Sequence, residues 1–244
     1  MSEQGWLAAP NTLRLWDEGP HREWDSPRKI RLWACACCRR IWELLPDSRS
    51  RRAVEVAELH ADGQATEQER AAAADAAGSA SLQFDMTDVL ERVYLWAAQA
   101  AEWVGVDDLS ADPEEISVLA AIALRDLARF QNPTEEVDVG AGERQGGPTA
   151  IAAEEAADLA HANLLRDVIG NPFRPAKVEP AWLTDTVLAL ARGIYAEKAF
   201  ERMPILADAL QDAGCDNDDI LDHCRSEGPH VRGCWVVDLL LDKK

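Results

Sequence analysis

Apolar residues in this chain recur three and four positions apart, not in alternation, and the stripes they draw are punctuated by residues that start and stop helices. Ser26-Pro27 joins a hydroxyl that accepts from an orphan amide to a proline at the first helical position. Ile30, Trp33, Cys37, Ile41 and Leu44-Leu45 then trace one face as far as Pro46. Asp47 can cap a second helix that carries Ala53, Val56, Ala57 and His60 and stops at Gly63. Thr66 and Glu69 form a capping box for a third, alanine-rich helix. A fourth starts near Thr87 and aligns Val89, Val93, Trp96, Ala100 and Trp103. A fifth opens at Asp112-Pro113-Glu114-Glu115, whose carboxylates suit the positive end of the helix dipole, and aligns Ile116, Leu119, Ala120, Ala123, Leu127 and Phe130.

Residues 133–149, with Gly140, Gly142, Gly146 and Gly147, read as a flexible loop or linker. Residues 150–169 read as a helix ended by Gly170-Asn171-Pro172, and shorter helices follow at 183–196, 204–213, 216–225 and 231–241. The last of these reads as a helix, though it is apolar nearly all round and a buried strand is the alternative. No segment combines a two-residue period with a hairpin turn, and no repeat recurs at a fixed period. The expected fold is all-α: an N-terminal helical part, 1–132, and a C-terminal part, 150–244, folded together as a multi-helix bundle.

Composition narrows the setting. With 47% hydrophobic residues, 244 positions suffice for a sizeable core. No apolar run reaches the ~20 residues needed to span a bilayer. The first 25 residues lack the basic start and apolar stretch of a signal peptide. A soluble cytoplasmic protein with reduced thiols is expected. The net charge of −19 is concentrated: residues 61–170 hold 22 acidic side chains against six basic ones. Such a field repels phosphate backbones, so nucleic acid is disfavoured as a partner. Most of the nine tryptophans fall at core spacings. Trp6, Trp16 and Trp24 lie in short N-terminal segments, where an exposed cluster would offer a surface to a protein partner. The leading expectation is therefore a non-enzymatic protein–protein interaction or adaptor module.

Cysteine placement supports an alternative. All six cysteines fall in two clusters, Cys35, Cys37 and Cys38 near one end and Cys215, Cys224 and Cys234 near the other, the second accompanied by His223 and His230. Cys35 and Cys38 are three apart, and His230 and Cys234 four apart, so each pair would share a helix face. Together with His223 and Cys224 these residues form a candidate zinc ligand set. The competing reading makes the cysteines small buried hydrophobes in narrow helix contacts, with Cys37 on the same stripe as Trp33 and Ile41. A nucleophile at Cys215 would gain from a helix start just beyond Gly214, but Asp216, Asp218 and Asp219 oppose a thiolate there. Asp216 with Asp219 three residues on reads as a capped helix start. The same acidic run lacks the glycine and glutamate of an EF-hand. P-loop, dinucleotide, nucleophile-elbow and metalloprotease motifs are all missing.

Three segments carry a resemblance: 31–42 (RLWACACCRRIW), 165–175 from Leu165-Arg166-Asp167 to Gly170-Asn171-Pro172-Phe173-Arg174-Pro175, and 204–235, ending in His230-Val231-Arg232-Gly233-Cys234-Trp235. They resemble an uncharacterised bacterial family found as many paralogues in planctomycete genomes. The resemblance spans nearly the whole chain outside 133–149. It implies a bacterial, cytoplasmic protein folded as one unit, and it carries over no activity, ligand or catalytic residue.

Overall fold

The structure, a computed structural model, describes residues 1–19, 26–106, 115–133 and 147–243. Among the described residues it contains twelve α-helices and no β-strand, so the all-α expectation holds. No helix among them is long and apolar enough to cross a membrane. The chain divides into two compact units, 1–162 and 163–244.

The first unit opens with two short helices, α1 (Glu3–Ala8) and α2 (Thr12–Glu18), whose caps Ser2 and Asn11 accept from backbone amides three residues on. They bury Trp6 and Trp16, so these indoles are core and not the exposed surface expected of them; Trp24 lies outside the described residues. Helix α3 (Pro27–Arg40) starts at Ser26, whose hydroxyl accepts from Lys29 N. Its Trp33 is fully buried, meets Trp16 edge to face at 5.5 Å, and donates Nε1–H to the His161 carbonyl at 3.1 Å.

Asp47 caps α4 (Ser48–Ala61), and the Thr66–Glu69 capping box opens α5 (Glu67–Ser81). Helix α6 (Val89–Trp103) is capped by Asp88. Helix α7 is described from Glu115 to Gln131, its expected start at Asp112 lying outside the described residues. Phe130 departs from the expected core face and is exposed. Consecutive helices pack side by side, α3 on α4, α4 on α5, α5 on α6, α6 on α7, and α7 returns to α3. The buried Arg31 closes the end of α6 by donating to the carbonyls of Val104 and Val106.

Of the expected 133–149 loop, residues 134–146 lie outside the described residues, and α8 (Pro148–Ile169) already begins at Pro148. The division between the units falls within α8, whose last turns belong to the second unit.

The second unit adds α9 (Asp185–Glu197), α10 (Met203–Asp212), α11 (Asp218–Arg225) and α12 (Trp235–Leu240). Its core joins Val187 and Ile194 of α9, Leu206 and Leu210 of α10, Ile220 of α11 and Val237 of α12. The cap of α11 is Asn217, which accepts from Ile220 N at 3.1 Å, and not Asp216. The final helix is shorter than the 231–241 expected. Gly233 adopts φ +96°, and Cys234 N donates to the Val231 carbonyl at 2.9 Å, so residues 231–234 form a turn that only then releases α12.

Candidate metal centre

Four side chains of the second unit converge. Asp167 Oδ1, one ring nitrogen each of His223 and His230, and Cys234 Sγ all lie within 4.8 Å of one another.

Asp167 stands on the last turn of α8, which ends at Gly170. Gly170 has φ +80°, and the Trp235 ring lies 3.1 Å from where a Cβ would be. A side chain there would be strained and would push the start of α12 away. His223 is carried by α11, whose apolar face, Ile220, Leu221 and Cys224, is sunk in the core. His230 follows a cis Gly228–Pro229 bond, and Cys234 sits at the head of α12. His230 and Cys234 are therefore brought together by a turn and not by one helical face as expected.

His230 Nδ1 lies 3.0 Å from Asp167 Oδ1, and His223 Nε2 lies 3.1 Å from the same oxygen and 3.2 Å from Cys234 Sγ. The imidazole rings meet edge to face at 4.7 Å. Two contacts hold this arrangement from behind. Asp167 Oδ2 accepts from Val231 N at 2.9 Å, and His230 Nε2 lies 3.3 Å from the Ser226 carbonyl oxygen. The carbonyl and the carboxylate both only accept, so His230 Nδ1 donates to Asp167 when it carries a proton and would offer its lone pair to a metal when it does not.

Burial alone would raise the Asp167 pKa, but hydrogen bonds from His223 and then His230 outweigh it and hold the carboxyl below its usual range. The Cys234 thiol is pushed well up by burial and by Asp167, against a weaker opposing pull from the amides of Val237 and Val236. The arrangement is not a nucleophile triad. In a triad the base uses one nitrogen toward the nucleophile and the other toward its orienting acid. Here the thiol and the carboxylate both address Nε2 of His223, and the thiol is fully buried.

The other sequence candidates lie elsewhere. Cys224, next to His223, turns into the core, where burial pushes its thiol up to about 12. Cys35 and Cys38 belong to the first unit, where they are buried along α3, and Cys35 Sγ lies 3.8 Å from the Val54 carbonyl. The Cys215 thiol is raised by burial, against a hydrogen bond from the Asn217 amide at the α11 cap, with Asp216 and Glu179 adding to the rise. Asp167 was not a sequence candidate. Its signal was a carboxylate in the last turn of a helix, against the negative end of the dipole, a position that needs compensation.

No family model, curated protein or solved structure matches the chain. The chemistry of the centre is read from its own geometry.

Proposed function

We propose that the second unit is a zinc-binding fold in which Asp167, His223, His230 and Cys234 hold one structural ion. The convergence of four ligand atoms of three chemical kinds on one point carries this reading. Tetrahedral zinc with its usual bond lengths sets its ligand atoms about 3.3–3.8 Å apart. Three of the six separations, 3.0–3.2 Å, are within a few tenths of that spacing, and all six lie within 4.8 Å.

Charge supports the same assignment. A carboxylate, a thiolate and two neutral imidazoles balance a divalent cation, so the buried centre carries no net charge. Nitrogen and sulfur donors favour zinc over magnesium or calcium, which take oxygen. The Ser226 carbonyl on His230 and the Val231 amide on Asp167 supply the orienting contacts that metal ligands need. Four protein ligands fill a tetrahedron, and Asp167 and Cys234 are buried with His223 and His230 only partly exposed, which suits a structural ion.

The ion would tie the end of α8, α11, the 229–234 segment and the start of α12 together. A unit of 82 residues is in the size range where one core gives only marginal stability and a metal adds appreciably. The test is elemental analysis of the purified chain with melting before and after chelation. About one zinc per chain and a lower melting temperature on its removal are expected. Cobalt replacement should add a thiolate-to-metal absorption band that Cys234→Ser abolishes. Metal-free protein whose melting ignores both zinc and chelator would sink the proposal.

A further inference from the structure

Between residues 61 and 170 only six side chains are basic, against 22 acidic ones. Three of the six, Arg92, Arg125 and Arg129, line one pocket of about 400 Å³ in the first unit, with Met86, Trp96 and Asp126. The spacing explains how they meet. Arg92 and Trp96 are four apart on α6, Arg125 and Arg129 four apart on α7, and these two helices pack together.

Two of the guanidiniums are held in place. Asp126 is buried and pairs with Arg92 Nε at 3.5 Å and with Arg125 Nη2 at 3.2 Å. Arg92 Nη1 also donates to the Met86 carbonyl at 3.1 Å, and Arg125 Nη1 lies 3.6 Å from Glu154. Arg129 is exposed and forms no ion pair among the described residues. The Trp96 indole N–H is shielded from solvent without an acceptor. The wall thus carries three positive charges and one negative.

This grouping opposes the rest of the chain. Carboxylates are in large excess, so arginines that served only as ion-pair partners need not gather around one acid. The position of Arg129 in the last turn of α7 suits the helix dipole, which explains its charge but not the convergence of the other two upon it.

We propose that this pocket binds a small phosphate monoester with an apolar or planar substituent. Guanidinium forks match phosphate oxygens, the three arginines outnumber the Asp126 and Glu154 carboxylates beside them, and Trp96 with Met86 offers an apolar surface. The volume falls in the range of small-ligand sites.

The experiment is calorimetric titration of the full chain with phenyl phosphate, inorganic phosphate and benzoate. Phenyl phosphate should bind most tightly. Arg129→Ala, on an exposed position, should leave melting unchanged and weaken binding about tenfold or more, with Arg129→Lys intermediate. No heat from phenyl phosphate up to about 10 mM would overturn the proposal, as would undiminished binding to Arg129→Ala. Benzoate binding as tightly as phenyl phosphate would overturn the phosphate assignment.

Discussion

The two cysteine clusters share residue type and burial and differ in what surrounds them. Cys35, Cys37 and Cys38 are at most 1% exposed along one helix, and burial raises all three thiols, with Glu58 adding at Cys35 and Cys38. Cys234 is just as buried, but it faces an imidazole at 3.2 Å with a second imidazole and a carboxylate beside it. A thiol inside a helix contact is a small hydrophobe, whereas a thiol facing imidazoles and a carboxylate stands where a metal ligand would. The histidines repeat the contrast. His161 is fully buried in the first unit, and burial holds it neutral. His223 and His230 are locked to Asp167.

The widest separation between the clusters should come from their thiols. Cys234→Ser is expected to lose the metal, and with it at least about 4 kcal/mol of stability at a thousandfold excess of zinc over Kd. Cys35→Ala and Cys38→Ala should retain full metal occupancy. Equal metal loss from either end of the chain would erase the distinction.

A smaller effect should appear in acid at His161. Burial, with Arg40 adding and the backbone of Ser117 opposing, lowers its pKa to about 3. The unfolded chain takes up that proton near pH 6.5, so between about 6.5 and 3 the unfolded state binds more protons. The contribution is fully present above 6.5 and is lost as pH falls, by about 3 kcal/mol at pH 4. His161→Leu should remove this slope while changing stability at pH 7 by less than about 1 kcal/mol. Urea denaturation at pH 7 and pH 4 gives the comparison, and parallel profiles for the two proteins would contradict it.

The smallest effect is packing at the N-terminal cluster. Cys38→Ala removes one sulfur from a closed helix contact and should cost about 1–2 kcal/mol in chemical denaturation. A cost near zero would show that α3 closes around the gap.

Much of the fold was legible because it is local. Ser26, Asp47 and the Thr66–Glu69 box mark helix starts by hydrogen bonds that reach only three residues. Where two capping side chains competed, as at Asp216 and Asn217, the pattern missed by one position. Three members of the candidate centre, His223, His230 and Cys234, are legible in the sequence, while Asp167 is hidden in a helix that reads as structural. Trp6 and Trp16 were misjudged because their burial depends on distant helices folding over two short ones.

The sequence by itself determined that the chain is helical, where most helices begin, and that its thiols would lie inside. Helix period and capping are properties of neighbouring residues, so they can be read along the chain. Only the tertiary structure decided which thiol faces imidazoles, and that Asp167 joins His230 across 63 positions. That convergence depends on the Gly170 stop, on the turn at Gly233 and on the packing of α11 and α12, none of which is contained in the spacing of the four residues themselves.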